Sequence, residues 1–462
     1  MKKRKLLMNN FAWLEEHKFI LDILSEDNEE ARFVGGAVKN SLLNQDFHDF
    51  DIAATMLPEK IMQTLKRNKI NVIPTGLQHG TVTAVMHGHS YEITTLRTDV
   101  QTYGRRADVE FTKNWIYDAE RRDLTINAIY MDKNGKIFDY FEGVNDLSYG
   151  IIKFIGDPET RIQEDYLRIL RFFRFFAAYG LKIDENGLEA CKKYRYKLLS
   201  ISIERITKEI LTMLKYESPE LAICFMHDID LLSIIFAEQS SFLKNYCRMC
   251  INKFSTGDNI SRISDNDFEK IKNDIRKENS EFRQNLFTFI EFLQFEKKSF
   301  SLISNAVSHK ISSSNLLRLF LLTDNFSKLC LSNKQLKYIN TLKSIYNQSS
   351  INFLNKIRTF LYKFRKIFDE DLVKFLINDT MLLMAFRENS NNAELLNMQN
   401  ILFTEFQAPP DVFPINGEIL LTLGIKEGKN MGDIMQNTMK YWLNSNCSAS
   451  KEDCLSYVNN LI

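Results

Sequence analysis

The feature that most constrains this chain is a change of apolar period near Pro158. From about Phe33 to Gly156, short apolar runs alternate with turn signals; from Arg161 to the C-terminus, apolar residues recur at spacings of three and four. The first pattern belongs to strands and their turns, the second to helix faces. The expected fold is therefore a small mixed-sheet α/β head followed by a long all-α part. In the head, Val34-Gly35-Gly36 reads as a strand end entering a helix over Ala37–Leu43. His48–Ile52 reads as a short strand and Pro58–Arg67 as a helix. Thr81–Met86 and Tyr91–Leu96 alternate around His87-Gly88-His89-Ser90, the pattern of a β-hairpin. The two histidines there are read as turn residues rather than metal ligands.

With 462 residues, the chain is long enough for two to four domains. No apolar run reaches the roughly eighteen residues of a membrane span, so no membrane partner is expected. The basic start Met1–Lys5 is followed by neither a long apolar segment nor a small-residue cleavage site, and the expected compartment is cytoplasmic. Seven scattered cysteines fit a reduced, disulfide-free protein. Cys247 and Cys250 have metal-like spacing without a second pair, and read as neighbours on a buried helix. A net charge of +1 means that nucleic acid would have to be held by local basic patches.

Three blocks carry chemistry. The first is Gly35-Gly36 followed by Asp49-Phe50-Asp51. Strand residues two apart share a face, so Asp49 and Asp51 would project together and repel unless a cation lies between them. Hard oxygen ligands so arranged suit Mg²⁺ holding a triphosphate. The glycines let backbone approach phosphate oxygens. Glu92, on a predicted neighbouring strand, reads either as a third carboxylate of such a site or as an outward-facing strand residue. The second block is Arg121-Arg122-Asp123-Leu124-Thr125-Ile126-Asn127, where guanidinium forks match phosphate and Asp123 would orient one of them. The third runs from Glu164 and Asp165 through Arg168, Arg171 and Arg174. On a continuous helix Asp165, Arg168 and Arg171 would fall in one arc, opposite Tyr166, Ile169, Leu170 and Phe173.

Together these blocks resemble the class II CCA-adding enzymes (tRNA nucleotidyltransferases), which share a head with bacterial poly(A) polymerases. The resemblance runs from about Phe33 to Glu209, including the neck segment Ile203–Glu209, with a weaker echo from Phe413 to Trp442. It implies a metal-binding core at Gly35, Gly36, Asp49 and Asp51, with Mg²⁺ as cofactor; Glu92 remains a further catalytic candidate on its strand position alone. Nucleotide contacts are implied at Lys39, Arg121, Arg122, Asp123 and Asn127. Glu164, Asp165 and Arg168 would form an amino-acid template that selects the base, with Arg171 and Arg174 beside it. Asp99–Val109, containing Gly104-Arg105-Arg106, resembles the mobile loop with which such enzymes switch from C to A.

The template role is chemically sound in its own right. Cytosine and adenine both present an exocyclic amine beside a ring-nitrogen acceptor, which Asp165 and Arg168 can meet with an acceptor and a donor. Guanine and uracil reverse that order. Each unsatisfied buried partner costs about 1–3 kcal/mol, so two mismatches give roughly 30-fold to 10⁴-fold discrimination.

The implied organisation is a catalytic head over residues 1–155, a helical neck over 156–215, a helical body over 216–409 and a tRNA-binding tail over 410–462. The partners would be CTP, ATP and the 3′ end and acceptor region of tRNA, with no DNA. Two departures stand out. The family's Gly-Gly-x-Val-Arg-Asp reads Gly35-Gly36-Ala37-Val38-Lys39-Asn40 here, so a bidentate fork and a carboxylate are both missing. Competing readings are a poly(A) polymerase, an enzyme adding only CC or only A, and a catalytically silent RNA-binding protein.

Overall fold

A computed structural model describes residues 3–8, 11–47, 49–103, 106–216, 219–236, 315–322, 329–346, 348, 350–388, 392–408 and 411–462. The chain divides into two compact units, Met1–Arg283 with Asn325–Cys330, and Gln284–Asp324 with Leu331–Ile462.

In the first unit, α1 (Ala12–Leu24) precedes β1 (Ala31–Val34), α2 (Gly36–Leu42), β2 (Phe50–Ala54), α3 (Pro58–Arg67), β3 (Asn71–Gly76), β4 (Thr81–Met86) and β5 (His89–Thr95). The hairpin β6 (Arg97–Tyr103) and β7 (Arg106–Phe111) follows, then α4 (Trp115–Glu120), β8 (Ile129–Met131) and β9 (Ile137–Asp139). Seven strands form one sheet in the order β3-β4-β5-β2-β1-β8-β9. Its centre is the parallel pair β2–β5 flanked by antiparallel β1. All four residues of β1 are buried, as a central strand covered on both faces requires. On one face, α1 lays Trp13 and His17 against Phe33, Phe50 and Tyr91. A second cluster joins Val34, Ala53, Trp115, Tyr130 and Ile155.

The expected helix over Pro58–Arg67 is observed with those bounds: Pro58 stands in the first turn and Lys66 and Arg67 in the last. The hairpin β4–β5 turns through His87 and Gly88, both at positive φ. The strand expected over His48–Ile52 begins two residues later, so Asp49 precedes β2 and only Asp51 lies within it. Where it is described, the segment Asp99–Val109 is the paired hairpin β6–β7; Gly104 and Arg105 lie outside the described residues.

Beyond the sheet, α5 (Gly143–Tyr149) and the short β10 (Ile151–Ile152) lead to α6 (Pro158–Glu164), capped by Asp157, whose carboxylate accepts from Thr160 N. Then come α7 (Arg168–Tyr179), β11 (Lys182–Ile183), α8 (Glu185–Tyr194), α9 (Ile203–Met213), α10 (Glu220–Asp228) and α11 (Leu231–Phe236). The continuous helix expected through Asp165 does not form. Asp165 has extended φ and ψ of −152° and 108°, and its own Oδ1 accepts from Leu167 N at 3.1 Å. That local bond competes with the helical ladder and splits the segment into α6 and α7.

The described part of the second unit is helical throughout. Its last helices, α12 (Gly417–Thr422), α13 (Lys429–Asn444) and α14 (Lys451–Asn459), enclose Trp442, Ile434, Cys454 and Val458. Ser450 and Asp453 form a reciprocal capping box at the start of α14. Cys247, Cys250 and the polar stretch Ser255–Glu281 lie outside the described residues. No helix among the described residues is long and apolar enough to cross a membrane.

Candidate active site

The site starts from a backbone constraint. Gly35, which caps α2, has φ +71°, and a Cβ there would sit 3.2 Å from Asp51 Oδ2. Glycine is therefore demanded both by the left-handed conformation and by the carboxylate beside it. Gly36 meets nothing within 4 Å of an added Cβ, so its backbone is open to approach.

Asp51 on β2 stands directly opposite Glu92 on β5 in the parallel register. Burial raises the Asp51 pKa, Arg122 and Lys39 oppose the rise, and Asp49 adds to it. Glu92 is raised by burial, then by Asp51 and by Asp49, while Lys208 of α9 draws it back. Asp49, Asp51 and Glu92 thus lie near enough to resist sharing negative charge, and Glu92 belongs with the aspartates rather than facing away from them. Three such carboxylates beside an open glycine backbone suit a hard divalent cation.

Arg121 and Arg122 follow α4 and turn back on Asp118, a residue that motif reading did not single out. Asp118 is 1% exposed; Arg121 donates to its Oδ1 at 2.9 and 2.6 Å, and Arg122 donates to its Oδ2 at 3.3 and 3.1 Å. Burial alone would raise the Asp118 pKa, but the two guanidiniums outweigh it and hold it at about 2. Its signal in the sequence was the spacing of three and four residues to the arginines.

Asp123 does not orient either adjacent arginine, contrary to expectation. Its Oδ2 accepts from Arg171 Nε at 2.6 Å, and its Oδ1 accepts from Leu124 N and Asn127 Nδ2 at 2.9 and 2.8 Å. Asn127 Oδ1 in turn accepts from the Lys39 ammonium. Lys39 is 2% exposed and lies over the rings of Phe175 and Tyr179 at 4.5 and 5.3 Å, so it sits beneath the site rather than on its open side. Burial lowers its pKa to about 7, with Arg174 and Arg171 pressing the same way and Asp123 and Asp51 opposing. Asn40 Oδ1 accepts from the Tyr179 hydroxyl at 2.9 Å, a role open to an amide without a paired cation.

The third block reaches the same place in pieces. Glu164, ending α6, accepts from Arg161 at 3.1 Å and from Arg168 at the start of α7. Arg168 also donates to the backbone oxygens of Arg161 and Arg121 at 2.9 and 3.3 Å. Asp165 is bound not by Arg168 but by Arg205 of α9, at 2.6 Å. Arg174 pairs with Glu209 at 2.5 Å. Among the described residues, the one group of three such side chains whose ligand atoms all lie within 4.8 Å of one another is Glu16, His17 and His89; the oxygens of Asp49, Asp51 and Glu92 stand wider apart than that.

A family model described as the poly A polymerase head domain matches residues 31–153, and one described as a probable RNA and SrmB-binding site of polymerase A matches residues 180–243. A human relative, CCA tRNA nucleotidyltransferase 1, mitochondrial, is 31% identical, over 96% of this chain and 89% of its own. The chain belongs to the class II CCA-adding tRNA nucleotidyltransferases. A CCA-adding enzyme of Ligilactobacillus salivarius is 40% identical over 51% of this chain and 59% of its own. Among solved structures, the Bacillus stearothermophilus CCA-adding enzyme in complex with CTP covers 97% of both chains at a TM-score of 0.63 and 20% identity. A Thermotoga maritima CCA-adding enzyme complexed with tRNA covers 98% of this chain and 97% of its own, at 0.52 and 17%. At such identities the structural likeness speaks for the fold. In this CCA-adding enzyme, Asp118 lies outside the quoted motifs, while Arg205 and Lys208 belong to the neck segment Ile203–Glu209, to whose residues the sequence reading gave no individual role.

Proposed function

We infer that this enzyme adds C, C and A to the 3′ end of tRNA from CTP and ATP, and that the three blocks above divide the work. The observation that carries the reading is the convergence on Lys39. Its ammonium is within electrostatic reach of Asp123, Arg174, Arg171 and Asp51. Asp51 of the sheet and the arginines of α7 are therefore gathered about one buried cation that underlies the site, which supports placing the two sets on a single nucleotide.

In the reaction, the RNA 3′-hydroxyl oxygen attacks the α-phosphorus, the bond to the pyrophosphate oxygen breaks, and the hydroxyl proton is lost. Asp49 and Asp51 would hold Mg²⁺, with Glu92 completing the carboxylate set; the bound ion supplies charge stabilisation at phosphate and a lowered hydroxyl pKa. Gly36 leaves the backbone open to a phosphate oxygen. Arg121, aligned by Asp118 through Nε and Nη2, keeps its Nη1 for phosphate or sugar, while Arg122 is held through all three nitrogens by Asp118, Tyr130 and the Asn127 carbonyl and adds its charge from behind. Lys39 and Asn127 act from below, by fixing Asp123.

Asp165 and Arg168 would read the base. Each is held by a different partner, Arg205 and Glu164, so neither is consumed by pairing with the other. Their unused acceptor and donor positions can then face the amine and the ring nitrogen that cytosine and adenine share.

The test is incorporation from each nucleotide into tRNA lacking its 3′ end, with Asp49→Ala as control. Two C and one A are expected, with transfer lost but tRNA binding kept in the variant. Long runs of A with no C incorporated would replace the reading by a poly(A) polymerase.

A further inference from the structure

Glu16 and His17 of α1 and His89, the first residue of β5, each bring one ligand atom to within 4.8 Å of the other two. Strand residues alternate in direction, so His89 and Tyr91 lie on the face of β5 that α1 covers, and Glu92 on the other. The group is thus separated by the sheet from Asp49, Asp51 and Glu92. His17 is 4% exposed, its ring lies 4.1 Å from that of Phe50, and its Nδ1 is 2.7 Å from the Tyr91 hydroxyl. The His89 ring meets it edge-on at 4.8 Å. An imidazole held through one nitrogen presents the other in a fixed direction, the outer support that metal-bound histidines use.

We propose that Glu16, His17 and His89 form a second metal site that takes a zinc-class transition metal, with its fourth position left to water. Two imidazoles and a carboxylate suit Zn²⁺, whereas Mg²⁺ demands a nearly complete oxygen shell. Tetrahedral zinc with ligands at about 2.1 Å places them about 3.4 Å apart. Exposed Glu16 and partly exposed His89 can close that gap while buried His17 stays. The ion clips α1 to the start of β5, and nucleotidyl transfer continues to depend on the carboxylates of the opposite face.

The test is equilibrium dialysis of the full chain against Zn²⁺ in excess Mg²⁺, with thermal unfolding and with Co²⁺ as a spectroscopic substitute. One zinc per chain is expected, retained in Asp51→Asn and weakened at least tenfold in His89→Ala and in Glu16→Gln, both outside the core. Zinc should raise the unfolding midpoint of the native chain but not of His89→Ala, and the visible bands of four-coordinate Co²⁺ should vanish in that variant. Failure to bind zinc, equal affinity in His89→Ala and Glu16→Gln, or loss of zinc in Asp51→Asn would each overturn the proposal.

Discussion

Asp123 and Arg171, 48 residues apart in sequence, meet at 2.6 Å and tie the arginine block of the head to the helix that carries Arg168. Asn127 and Lys39 extend the same line of contacts to α2. The segment after α4 that carries Arg121 and Arg122 and the helix α7 are thereby set against each other by buried side chains rather than by loop geometry. Buried ion pairs of this kind specify arrangement more than they add stability.

The raised carboxylates give the first prediction. In the metal-free protein Asp51 and Glu92 ionise above the ordinary carboxylate range, so their mutual repulsion grows as pH rises through that window and stability falls. Asp51→Asn should therefore raise the unfolding midpoint in metal-free buffer at neutral pH. The same change should lower kcat/KM by about 10²–10³-fold. Adding Mg²⁺ favours the ionised forms and should move the acid limb of the activity profile to lower pH. Calorimetry and steady-state kinetics on one pair of proteins check all three signs.

Asp118 makes the opposite case. Its folded pKa of about 2 lies below the ordinary value of 3.8, so its contribution is complete above about pH 4 and is lost as pH falls towards 2. That shift corresponds to about 2 kcal/mol. Asp118→Ala leaves two guanidiniums without their buried partner and should cost about 3 kcal/mol at neutral pH, read by denaturant titration. KM for nucleotide should rise as well, because Arg121 and Arg122 lose their common anchor.

How much of this could be read beforehand depended on sequence distance. The strand-turn-helix at Gly35 and Gly36, the helix at Pro58–Arg67 and the β4–β5 hairpin are set by local turn chemistry and period, and all were legible. Asp123 was paired with its neighbours because its true partner is 48 residues away, a distance at which no spacing rule operates. The break at Asp165 was hidden because the apolar spacing of three and four continues across it; the signal lay in a side chain able to bond its own backbone. Lys39 reads from sequence as a nucleotide contact, and only the packing of Phe175 and Tyr179 reveals it as an interior cation. His17 and His89 are 72 positions apart, and their meeting is a product of α1 crossing the sheet.

Base selection should respond to the partners that hold Asp165 and Arg168. Asp165→Ala removes the acceptor for the shared amine and also strands Arg205, so discrimination against GTP and UTP should fall by roughly 5-fold to 150-fold, the equivalent of about 1–3 kcal/mol. Arg205→Ala should produce a smaller loss of the same kind, because Asp165 stays but is no longer aimed. Ratios of kcat/KM among the four nucleotides are the measurement; unchanged ratios in both variants would remove Asp165 from the template.

Lys39 titrates inside the protein, and that gives its test. Burial lowers its pKa from 10.5 to about 7, so between those values the unfolded chain holds a proton that the folded chain has released. Stability should then rise with pH from about 7 to 10 by a few kcal/mol relative to a chain without the group. Lys39→Met keeps the apolar contacts with Phe175 and Tyr179 but loses the donor to Asn127, and its stability curve should lack that slope. Below about pH 7, where the native lysine carries a buried charge, the variant should come closest to the native protein or exceed it. Unfolding titrations of both proteins from pH 6 to 9.5 decide the matter, since a difference between them that does not change with pH would mean that the ammonium reaches water.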